Sequence, residues 1–194
     1  MREFNFSRML TGILFMFLLT NSSVSAQKYE LVNAESSLVI QGTSSLHDWE
    51  MVAQDQSGVL IFNKAELGEL EQLSIEIVTE SLKSGKSAMD KNAFKALKSN
   101  SNKKIRFQLT KIKEVKSDGN GGFNVAVLGD LTIAGVKKEI PLDLKVVLDA
   151  NKAILKGSKN IKMTDFKIDP PKAMFGTITT GDEITIEFNT VLSK

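Results

Sequence analysis

Between residues 123 and 148 the chain alternates apolar and polar positions on both sides of Ala134-Gly135. Phe123, Val125, Val127, Leu131 and Ile133 share one parity before that pair; Ile140, Leu142, Leu144, Val146 and Leu148 share one after it. A period of two sends successive side chains to opposite faces of an extended strand, so the segment predicts a long antiparallel hairpin with one apolar face. Shorter stretches repeat the pattern. Residues 38–42 read as an early strand, and Trp49, Met51 and Ala53 mark a second. Ser57-Gly58 reads as a reversal leading into residues 59–62. Leu73, Ile75 and Ile77 mark a further strand, as do Ile105, Phe107 and Leu109. Residues 153–163 read as a strand with an irregular middle, and Ile184, Ile186 and Phe188 mark the last one. The polar partners are Ser, Glu, Gln, Lys and Thr, as strands with one wet face require.

One stretch has a different period. Met89, Ala93, Phe94 and Leu97 fall on a helical stripe, and Ser87 with Asp90 three residues on resembles a helix start. Ser99 to Asn102 ends that helix. Residues 117–122 are a glycine-rich turn, and Asp169-Pro170-Pro171 is a loop, because consecutive prolines cannot donate to a ladder. Short strands with close turn signals and no strand–helix–strand alternation predict an all-β fold, an antiparallel barrel or sandwich with one short helix.

The ends and the composition narrow the setting. Arg2 and Arg8, an apolar run from Leu10 to Leu19 and Val24-Ser25-Ala26 read as a secretory signal peptide over residues 1–26, leaving 27–194 as one domain. The run is shorter than the ~20 apolar residues of a membrane helix, so no stable membrane span is expected after cleavage. No Cys follows it to carry a lipoprotein anchor, and the chain has no Cys at all. Export without disulfides points to a bacterial periplasm or a secreted protein. A formal charge of +2 with interspersed signs gives no argument for a nucleic-acid partner.

Several motifs resemble the YceI-like family of exported barrels. Gly129-Asp130-Leu131-Thr132-Ile133-Ala134-Gly135-Val136-Lys137-Lys138 is similar to that family's G-x-LTI-x-G hairpin. Met89-Asp90, Phe94 and Ile105-Arg106-Phe107 resemble its helix and the following strand. His47 resembles a family position before the second strand, and residues 164–168 resemble a segment before the last one. Two departures stand out: Lys167 where the family usually has Gly, and Asp48-Trp49-Glu50 in place of small residues. The resemblance implies an eight-stranded, antiparallel, lipocalin-like barrel with a long isoprenoid or other amphiphilic lipid inside. It implies no other cofactor, and it leaves a homodimer open.

The residues carry little reactive chemistry. His47 is the only histidine, and without Cys or a second His it makes a poor metal centre. No G-x-S-x-G, P-loop or G-x-G-x-x-G is present, which disfavours an enzyme. The basic set Lys83, Lys86, Lys91, Lys95 and Lys98 reads first as a solvated helix face, with contact to lipid phosphates at the barrel mouth as the sharper alternative. The expected interior surface comprises Trp49, Met51, Phe62, Phe94, Phe107, Val125, Val127, Leu131, Ile133, Phe166, Met174, Phe175 and Phe188, with His47, Asp48 and Lys167 at the mouth. A barrel of this size is either filled by side chains or holds one ligand. The leading reading is a carrier enclosing a polyisoprenoid, a quinone tail or another apolar lipid. The alternative is a structural or adaptor barrel with a self-filled core. Abundant Phe with a single Tyr favours the hydrocarbon ligand.

Overall fold

The alternating segments form eight antiparallel strands that close on themselves in the computed structural model, which describes residues 27–194 except the side chains of Ala173 and Met174. The segment read as a signal peptide lies outside the described residues. Strand β1 comes in two pieces, Gln27–Leu31 and Ser37–Ser44, and β2 in Trp49–Ala53 and Gln56–Lys64. Strand β3 comprises Glu69–Val78 and Leu82–Lys83. Helix α1, Ser87–Ala96, follows. Strands β4 (Lys104–Ser117), β5 (Gly122–Ile133), β6 (Val136–Asp149), β7 (Lys152–Lys162) and β8 (Ile178–Ser193) complete the wall. Each strand pairs with the next, and β8 returns to β1 through Phe188↔Leu38 and Ile184↔Gly42. No edge is left over the closed part of the sheet, which is how an antiparallel barrel removes the hazard of exposed edges.

The predicted hairpin is the longest uninterrupted ladder, running from Gly122↔Val147 to Ile133↔Val136. Its turn needs two left-handed residues, Ala134 at φ 50° and Gly135 at φ 80°. Two local expectations are corrected. The chain does not reverse at Ser57-Gly58, because both lie inside β2, paired with Glu76 and Ile75. Glycine is needed there for close approach, since a methyl group on Gly58 would fall 2.6 Å from the Ser74 carbonyl oxygen. The helix start also differs. Ser87 makes no cap; the carboxylate of Asp90 instead accepts from the backbone N–H of Ser84 at 2.8 Å and its hydroxyl at 2.6 Å.

The interior is filled unevenly. Below mid-height, Tyr29, Leu60, Phe62, Leu70, Val125 and Val146 pack into a solid floor, with the Tyr29 and Phe62 rings edge to face at 5.7 Å. Above mid-height, aromatic rings lie against the wall instead of crossing it. Trp49 covers Gly42, Phe107 covers Gly129 and Phe188 covers Gly157. A methyl group on those glycines would stand 2.3, 2.2 and 2.6 Å from the respective rings. Removing the Cβ lets each ring lie flat, which leaves space at the barrel axis. We expect Gly129→Ala to push the Phe107 ring inward and to cost about 1–3 kcal/mol through overpacking, read from chemical denaturation. An unchanged unfolding midpoint would show that the ring has free room to move.

Candidate binding cavity

The space kept open by those rings is a cavity of about 440 Å³. It lies within the ~300–1,000 Å³ usual for small-molecule sites. Its wall is overwhelmingly apolar, with inward side chains from every strand. Leu73, Leu144 and Leu155 form its base above the solid floor, and Ile105, Ile133, Ile140 and Ile161 line its sides. Helix α1 lies across one side of the open end through Met89, Ala93 and Leu97. The 3₁₀ turn Met163–Phe166 closes another side with Met163 and Phe166.

Polar groups gather toward the mouth. Ser44, His47, Lys86, Asn92 and Thr180 line it, whereas no Asp or Glu among the described residues does. A tight turn sets this rim. The Ser44 hydroxyl donates to the His47 carbonyl at 2.7 Å, and the backbone N–H groups of Leu46 and His47 donate to it. The His47 ring nitrogen Nδ1 lies 2.6 Å from the Asp48 carbonyl oxygen. Trp49 is fixed through its indole N–H, which donates to the Thr43 carbonyl at 2.9 Å. Among the described residues no cluster of His, Asp and Glu has the geometry of a metal site.

Trp49, Met51, Phe107, Leu131, Ile133, Phe166 and Phe188 all line this cavity, with His47 at its rim. Others in the expected set lie elsewhere. Phe62, Val125 and Val127 belong to the solid floor. Phe94 is outside the lining but packs with the cluster of Leu38, Met51 and Leu82, and the Lys83 ammonium sits 4.7 Å from its ring centre. Asp48 and Lys167 are exposed and outside the lining, and Phe175 is fully exposed beyond the mouth. The Met174 side chain lies outside the described residues. Lys167 adopts φ 56° at the end of the 3₁₀ turn, a left-handed position that glycine fills without strain. Of the helix lysines, Lys86 does reach the rim; the residues not foreseen include Ile184 and Ile186 opposite β7, Lys172 at the rim and Lys159 on the wall.

Two carboxylates hold the roof. Asp90 ties α1 to the end of β3, and Asp182 accepts from the Thr164 hydroxyl at 2.6 Å and its N–H at 2.8 Å, tying the 3₁₀ turn to β8. The Ser84 hydroxyl, then its N–H, hold the Asp90 carboxyl below its usual range, and the Thr164 pair does the same for Asp182. A carboxyl lowered on folding contributes stability above its unfolded value and loses it as the pH falls through the lowered one. We therefore expect amide exchange across Ser87–Ala96 to be faster in Asp90→Ala at neutral pH. The natural protein should approach that behaviour only below the ordinary Asp value of 3.8. Equal exchange in both proteins at neutral pH would remove Asp90 as the helix anchor.

The YceI-like domain family matches residues 29–192 of the chain. Among solved structures the fold is similar to BcnA of Burkholderia cenocepacia, at 17% identity and a TM-score of 0.66, over 83% of this chain and 98% of that one. It is also similar to a polyisoprenoid binding domain from Saccharophagus degradans, at 15% identity and 0.64, over 85% and 97%. A third likeness is to a Campylobacter jejuni YCEI protein, at 23% identity and 0.56, over 73% and 82%. No curated protein matches the chain.

Proposed function

The chain belongs to the YceI-like domain family, and from that premise we propose that it is an exported carrier enclosing one long apolar chain in the upper half of its barrel. A polyisoprenoid, a quinone tail or another amphiphilic lipid has the right chemistry. The observation that carries this reading is the open apolar cavity of about 440 Å³ standing on a solid floor. Burial of each methylene in such a site is worth ~0.8 kcal/mol, so a chain of modest length is held without any covalent step. The Saccharophagus degradans relative, described as a polyisoprenoid binding domain, supports the same ligand class. The signal-like residues 1–26 support a periplasmic or secreted location.

The alternative of a self-filled adaptor barrel suits the floor alone, because the glycine-backed rings above it leave the axis empty. An acid–base enzyme fits less well. His47 sits at a rim without a lining carboxylate, and its ring faces a backbone carbonyl.

Trp49 is the only tryptophan in the chain and lines the cavity, so its emission reports occupancy directly. In a series of straight-chain alcohols from octanol to tetradecanol, we expect the emission to shift on binding and affinity to rise roughly fourfold per added CH₂ until the cavity is full. Native mass spectrometry of the purified protein should show a bound lipid that organic extraction removes. No shift with any alcohol, together with no extractable lipid, would sink the carrier reading.

A further inference from the structure

One charged side chain stands on the apolar side of the wall. Along β7 the inward positions are Ala153, Leu155, Gly157, Lys159 and Ile161, so the strand's own alternation sends Lys159 into the barrel. Its register confirms the face. Lys159 lies opposite Ile186, between Gly157↔Phe188 and Ile161↔Ile184, and all three partners on β8 line the cavity. Lys159 itself is half-buried and part of the lining.

Its ammonium has no counter-charge. Among the described residues no carboxylate lies within 4.0 Å of its Nζ, and it makes no hydrogen bond. The other lysines of the lining, Lys86 and Lys172, stand exposed at the rim, where water solvates them. A lysine on an apolar wall loses hydration unless an anion replaces it.

We propose that Lys159 is a specificity-determining residue that holds the acidic group, carboxylate or phosphate, of an anionic amphiphile whose hydrocarbon tail fills the cavity. This rests on the carrier reading and refines it, since neutral alcohols and quinones offer the ammonium no charge. A charge-assisted N–H···O contact is shorter and about twice as strong as a neutral one, so a ligand that makes it is selected over its uncharged analogue. The lining contains no Asp or Glu to compete for the ammonium. A structural role is the rival explanation. The β6–β7 ladder stops at Lys145↔Lys156, leaving the upper flank of β7 unpaired, and an inward charge on such a flank discourages pairing with another chain.

The test uses cis-parinaric acid and its methyl ester, followed by their fluorescence on the protein, the Lys159→Met, Lys159→Gln and Lys159→Arg variants, and Lys172→Met. The natural protein should bind the acid at least about tenfold tighter than the ester. Lys159→Met and Lys159→Gln should bring the two probes to equal affinity through loss of acid binding, while Lys159→Arg and Lys172→Met keep the preference. Equal affinity of acid and ester for the natural protein overturns the proposal. So does a preference that survives in Lys159→Met, or one lost in Lys172→Met instead. Self-association of Lys159→Met with its preference intact assigns the lysine to edge protection and likewise overturns it. Binding of neither probe by the natural protein removes the carrier reading itself, an outcome distinct from binding both equally.

Discussion

The inside of a closed eight-stranded barrel has a fixed cross-section, and side chains must either fill it or leave it hollow. This chain does both. In the lower half, large inward residues pack against one another, with Phe62 and Tyr29 of adjoining strands in edge-to-face contact and Leu60, Val125 and Val146 in the same cluster. In the upper half, the largest rings are each set over a glycine, so their bulk lies along the wall. A hollow apolar space forgoes the dispersion contacts a packed core would make. The wall tolerates that loss because each strand from β3 through to β6 is paired with the next and the floor beneath is dense.

The same economy of contacts explains where the wall is weakest. Strands β6 and β7 pair only from Lys152↔Asp149 to Lys156↔Lys145, then separate. Pro141 lies in the part of β6 that has lost this partner, where a residue without an N–H is tolerated as on an edge strand. The 3₁₀ turn Met163–Phe166 packs its apolar side chains beside this opening, in a cluster with Leu131, Ile133 and Ile161. Fewer rungs mean a lower free energy of local opening. This seam is therefore the part of the wall where the fewest rungs oppose local opening, whereas Asp90 and Asp182 tie the roof down.

The barrel was legible in the sequence because alternation is a local signal, and β5 and the part of β6 from Ile140 onward display it. Height within the barrel was not. Val127 and Leu131 share one strand and one face, yet the first is in the floor and the second beside the cavity. The difference depends on stagger with β4, which shifts register between Leu109 and Lys111 and again between Ile112 and Glu114. Nothing in the residues of β5 encodes those shifts. Phe94 follows a similar logic: a helical stripe says which side of α1 is apolar, but not which of its side chains reaches the cavity and which packs on the wall beside it. Lys159 was readable in principle. It keeps the parity of Leu155 and Ile161, and the apparent irregularity of that strand was this lysine and Gly157 occupying inward positions.

The motif that carries the family resemblance illustrates what such a resemblance can transfer. Gly129 makes room for the Phe107 ring, Gly135 supplies a left-handed turn residue, and Leu131 and Ile133 face inward between them. Each is a demand of the wall: a close approach, a turn, a face. None offers charge or a hydrogen bond to an occupant. The polar groups of the lining lie elsewhere, at the His47 turn, on the Trp49 indole and on β7 at Lys159. Shared wall motifs therefore specify a container, and two barrels can keep them while accepting different head groups. On the proposed carrier reading, the choice of head group therefore falls to the few polar side chains that break the apolar lining.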